Sequence, residues 1–96
     1  MLDPIVVGRV IQKFREERKL SQEVVSGLAD IGLTHLSAIE RGTRRPTLET
    51  FYRIAEAMDV HPSTILAEIE DQMGKNLILS RIPGKNILEM KRRSRT

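Results

Sequence analysis

LSQEVVSGLADIGLTHLSAIERG, running from Leu20 to Gly42, is the stretch that decides the reading of this 96-residue chain. It holds two short apolar-periodic segments with only a few residues between them. Ser21 has the chemistry of an N-cap, and the segment Gln22–Ala29 behind it turns Val25 and Leu28 or Ala29 inward. After Asp30 and Ile31 the second segment covers about Gly32–Arg41, with Leu36 and Ile39 at core spacing. It stops at Gly42, a residue suited to the left-handed backbone that ends helices. Isolated helices shorter than about 12 residues are marginal in water. Two such helices set back to back must therefore draw their stability from packing.

Working outward, Asp3-Pro4 reads as an N-cap and first helical residue, and Val7, Ile11 and Phe14 recur at helical spacing. The first helix is expected over Pro4–Arg18. Downstream, GTRRPT is a loop by composition. Thr47 caps a fourth helix whose Leu48, Phe51, Ile54, Ala55 and Met58 line one side. DVHP breaks that helix, and Pro62 opens a fifth with Ile65, Leu66, Ile69 and Met73 at spacings of three and four. Residues 1–74 contain no strand-like alternation, and aromatic residues are only 3%, so the expected core is aliphatic. The expected fold class is all-α, with five helices in a domain over 1–74 and a basic C-terminal extension over 75–96. Leu77, Ile78, Leu79, Ile82, Ile87, Leu88 and Met90 give that extension apolar surface, to pack on this chain or on a second copy.

The composition narrows the function. Hydrophobic residues make up 40% and charged residues 30%, ordinary values for a globular domain. No run approaches the roughly 18 apolar residues of a membrane span. The N-terminus lacks a basic region followed by a long apolar stretch, so a cytoplasmic protein with no membrane contact is expected. Without cysteine there are no disulfides and no thiolate chemistry. His35 and His61 are far apart in sequence, with no acidic pair at ligand spacing, so no metal or other cofactor is expected. No phosphate-cradling glycine loop and no nucleophile motif occurs, which argues against an enzyme and against a small-molecule substrate. The net charge of +3 conceals an asymmetry. From Lys75 onward seven basic residues face one acid, a net +6, whereas residues 1–74 carry nine basic and twelve acidic residues, a net −3. A basic tail on an acidic body reads either as an arm that seeks phosphate or as a solvated tail.

FREERKLSQE leading into the second helix, HLSAIERG ending the third, and RRPTLETFYRIAEAMDV through the fourth resemble the phage repressor/Cro (XRE) type of helix-turn-helix family. The resemblance covers about Val7 to Ile69. It implies a lambda-repressor-like domain that binds double-stranded DNA as a homodimer, with the recognition helix, about 32–41, in the major groove. Residue by residue, it implies that Gln22 bonds a DNA phosphate, that Arg15 and Glu40 form an ion pair tying the first helix to the recognition helix, and that Leu33, Thr34, His35, Ser37 and Ala38 face the bases. Arg41, Thr43, Arg44 and Arg45 would flank the phosphate strand. Two departures stand out. Leu33 and Ala38 can neither donate nor accept, and at most touch a thymine methyl group. Asp30 stands at a turn position that is often glycine, and Gly32 at a cap that is often serine. The dimer contact is expected along Ile65, Leu66, Ile69 and Met73, which supply more apolar surface than one-sided docking requires. An alternative use of the same fold is a protein-interaction module, an antitoxin or adaptor, with Leu33, Val24 and Leu28 as an apolar contact surface.

Overall fold

The computed structural model describes residues 2–74, and the expectations for the extension lie outside the described residues. Five helices follow in order: α1 (Pro4–Glu17), α2 (Gln22–Ala29), α3 (Leu33–Arg41), α4 (Leu48–Ala57) and α5 (Pro62–Met73). No strand occurs among the described residues. The helices close into a ring in the order α1, α3, α2, α4, α5, each packed on its two neighbours. Inside lie Val10, Ile11, Val25, Leu36, Ile39, Ile54, Ile65 and Ile69, all essentially inaccessible to water. This aliphatic interior is what holds the two short central helices in shape, since neither has the length to persist alone.

Local chemistry sets the ends. The Asp3 carboxylate accepts from the Ile5 N–H at 2.9 Å, Ser21 from Val24 N–H at 3.1 Å, and Thr47 from Thr50 N–H at 3.1 Å. Each satisfies a first-turn donor that the helix leaves open. Gly32 sits at the N-cap of α3 and His61 at that of α5, and neither supplies a side-chain cap bond. The C-terminal ends of α1 to α4 share one device. Leu20 N–H reaches Arg15 O, Ile31 reaches Ser26 O, Thr43 reaches Ala38 O, and Val60 reaches Ala55 O. This is the bonding of a Schellman motif, which needs left-handed backbone at the preceding residue. Only Gly42 meets that need without strain; Lys19, Asp30 and Asp59 adopt φ values of 56°, 57° and 58°.

One close approach positions the site. A Cβ at Gly8 would stand 2.2 Å from the Ile39 carbonyl oxygen and 2.6 Å from that of Glu40. The absence of a side chain there lets α1 lie backbone to backbone on α3. Gly42 is constrained doubly, by φ +79° and by the Ile5 Cα, 2.7 Å from its would-be Cβ.

Candidate nucleic-acid interface

The α2–turn–α3 unit is fixed to α1 by one buried carboxylate. Glu40 Oε2 accepts from Arg15 Nε at 2.7 Å, and Oε1 accepts from Arg15 Nη2 at 3.0 Å and from Gln22 Nε2 at 2.9 Å. The third arm of the guanidinium, Nη1, donates to Leu20 O at 2.7 Å and so holds the α1–α2 turn as well. The Glu40 side chain is 2% exposed and that of Arg15 11%. The hydrogen bonds to Glu40 hold the Arg15 guanidinium above its ordinary pKa range, while burial pulls the other way. A bidentate pair of this kind fixes orientation more than it adds net stability, because desolvation consumes much of the attraction. Gln22 belongs to the same network. Its bond to Glu40 uses one amide N–H and orients the group at the start of α2, leaving the second N–H and the carbonyl for other partners.

On α3, 100° of rotation per residue puts Leu33, Thr34, Ser37, Ala38 and Arg41 on the face turned away from Leu36 and Ile39, with Glu40 at its margin beside Leu33. Leu33 is 45% exposed and Thr34 is exposed; Ser37 and Ala38 are half-buried. His35 lies nearer the Ile39 side of the helix and is half-buried, as Ser37 and Ala38 are. Ser37 Oγ accepts a short bond from Arg41 Nη1, one turn along the helix.

The loop behind α3 divides its residues between DNA-compatible and structural roles. Thr43 Oγ1 donates to Ala38 O at 3.1 Å. This bond helps close the end of α3 and uses the proton that the hydroxyl would otherwise offer a phosphate oxygen. Arg45 Nη1 donates to Leu2 O at 2.8 Å and holds the N-terminal segment against the loop. Arg44 is exposed and bonds to nothing among the described residues, and Arg41 is exposed beside it. Arg41 and Arg44 are therefore the solvent-facing cations of the cluster: Arg44 has no side-chain partner among the described residues, and Arg41 bonds only Ser37 on its own helix.

The expected dimer residues also divide. Ile65 and Ile69 are at 0% and 1% exposure in the chain's own core, and Met73 is half-buried against it. Ile65 and Ile69 cannot serve a second chain without unpacking the first, whereas Met73 keeps part of its surface accessible. Leu66, 37% exposed, remains available. It borders a mostly apolar groove of about 270 Å³ that Leu2, Val7, Leu48 and Phe51 also line. Among the described residues Leu48 is the most exposed of the large apolar side chains, although its spacing set it on the same side as Phe51 and Ile54. No group of three or more histidine, aspartate or glutamate side chains among the described residues is placed to hold a metal ion, and no described helix is long and apolar enough to cross a membrane.

Comparison with known proteins fits this geometry. A family model described as helix-turn-helix matches residues 11–65. The chain is 34% identical over 64 residues to the immunity repressor protein of Bacillus phage phi105, covering 67% of this chain and 44% of the repressor. It is 32% identical over 63 residues to the control protein C.BamHI of Bacillus amyloliquefaciens, covering 65% and 78% of the two chains. Among solved structures, the restriction-modification controller protein C.AhdI from Aeromonas hydrophila aligns with a TM-score of 0.64 at 26% identity, over 68% of this chain and 98% of that one. Fold, matched residues and relatives agree: the chain belongs to the helix-turn-helix family of phage repressor/Cro (XRE) type, a family of transcriptional regulators rather than enzymes.

Proposed function

We propose that this chain is a sequence-specific DNA-binding transcriptional regulator that acts as a homodimer and lays α3 in the major groove. The observation that carries the reading is the Glu40 network. It locks α1, α2 and α3 together so that one face of α3 projects with Arg41 and Arg44 beside it. Arg41 and Arg44 would take phosphates, as would Gln22 with its remaining N–H; Thr34 and Leu33 would meet base edges, with Ser37 and Ala38 behind them. Phosphate contacts fix register, and base contacts specify sequence. A controller protein and a phage repressor among the relatives support regulation of transcription as the purpose.

A two-fold dimer would set its recognition helices about 34 Å apart, one turn of B-DNA. Leu66, Leu48 and Leu2, around the groove at the start of α4 and the middle of α5, supply the apolar surface for it. Sedimentation tests the assembly, and anisotropy titration with labelled random duplex at two salt concentrations tests the binding. A dimer at tens of micromolar and affinity that falls steeply with salt are expected. A monomer throughout, or no duplex binding at low salt, would reject the proposal. The interaction-module reading has one specific support: Val24, Leu28 and Leu33 are exposed apolar side chains on α2 and α3, Leu28 at 68%. Absence of duplex binding would favour it.

A further inference from the structure

The outward face of α3 is unusual in what it offers a base pair. Leu33 presents only hydrocarbon, Ala38 a single methyl group, and Thr34 a methyl beside its hydroxyl. The Ser37 oxygen accepts from Arg41, and its hydroxyl proton remains as a second polar donor beside Thr34. Hydrocarbon pressed against a base edge leaves that edge's donors and acceptors dehydrated and unpaired, which is unfavourable. One major-groove group escapes the penalty because it is itself apolar, the C5-methyl of thymine. Arg41 and Arg44, exposed along the same edge, make a polyanion the complementary occupant of this apolar strip.

We infer that α3 selects its sites chiefly through thymine C5-methyl groups, with Leu33 as the principal contact and the small Ala38 allowing close approach. The inference rests on the DNA-binding reading above. It makes Leu33 a specificity-determining residue of that surface. Thr34 and the Ser37 hydroxyl proton remain the polar readers, and the arginines supply affinity with no sequence preference.

Replacement of thymidine by deoxyuridine tests this directly, because uracil pairs identically and lacks only the methyl. The best-bound duplex from a random library is made in both forms and titrated with the full chain. Each contacted methyl is expected to change affinity about fourfold, the equivalent of ~0.8 kcal/mol per buried carbon, so a site with two half-sites loses roughly tenfold or more as uracil DNA. Leu33→Ala and the isometric Leu33→Gln, at an exposed position, are expected to weaken binding to thymine DNA and to shrink the uracil effect to twofold or less. Equal affinity of the unaltered protein for both duplexes overturns the inference and leaves DNA binding standing. An undiminished uracil effect in both Leu33 variants overturns it too, since the methyls would then be read elsewhere. Failure to bind any duplex overturns the inference together with the DNA-binding reading on which it rests.

Discussion

Alanine at Gly8 and alanine at Gly27 are the same substitution inside a helix, and their surroundings give them opposite signs. Glycine in a helix interior is about 0.8–1 kcal/mol less favourable than alanine. At Gly27 an added Cβ meets nothing within 4 Å, so Gly27→Ala is expected to stabilise by up to about 1 kcal/mol. At Gly8 the same gain is available, but the Cβ would stand 2.2 Å from Ile39 O, which is 1.2 Å short of the 3.4 Å where ordinary contact begins. The obstructing atoms are backbone oxygens of α3, and Ile39 O itself accepts from Gly42 N–H at 3.0 Å, so no side chain can swing aside. Overpacking typically costs about 1–3 kcal/mol, and a backbone-to-backbone clash belongs at the upper end. The net for Gly8→Ala is a loss of about 2 kcal/mol, or a Tm lower by roughly 8–16 °C for a domain of this size. Urea unfolding followed by helical circular dichroism, with the slope m compared between variants, measures both. Gly8→Ala should also weaken duplex binding, because separating α1 from α3 draws Arg15 away from Glu40. A neutral or stabilising Gly8→Ala would refute the close α1–α3 contact and the orientation of α3 derived from it.

Arg15→Met and Glu40→Leu should each destabilise by about 3 kcal/mol, since each leaves a buried charge without its main partner, and the double variant should recover much of that stability. Destabilisations that simply add would show the two do not interact. Lys19→Gly should stabilise by about 0.5–1 kcal/mol by relieving a left-handed backbone at a residue with a Cβ, read as a higher Tm; a lower Tm would count against the Schellman ending of α1. Arg41→Ala and Arg44→Ala should each reduce the slope of log affinity against log salt by about 0.9 for every phosphate that the arginine neutralises, while Thr43→Val leaves it unchanged. Cutting the chain after Met90 removes Lys91, Arg92, Arg93 and Arg95 and should shrink the slope by up to roughly 3.6 if all four touch phosphate; no change would mark a solvated tail.

What the sequence revealed and what it withheld follow from the range of the interactions. Capping residues and apolar spacing are local, so all five helices were readable, and α1 differs from expectation by one residue because Arg18 has left the helix to cap it. The turn at Asp30 and the stop at Gly42 were also visible, being set by single residues. The Arg15–Glu40 pair came from resemblance and is present in the structure. Other features depend on where distant segments meet. The partner of Gln22 lies 18 residues away and that of Arg45 lies 43 away, and no spacing rule reaches so far. Periodicity grouped Leu66 with Ile65 and Ile69 because three-and-four spacing describes a stripe, whereas the packing of α1 and α4 on α5 decides which part of it is covered. Gly8 left a trace, a glycine amid Val7, Val10 and Ile11, whose cause lies in α3.

Selection of bound duplexes from a random library tests the central claim most directly, since it reads affinity and specificity in one experiment. The expected result is enrichment of a near-palindromic, thymine-containing site whose half-sites lie about 10–10.5 base pairs apart centre to centre. Recovery of sequences no different from the starting pool, at salt low enough for any binding to persist, would contradict it.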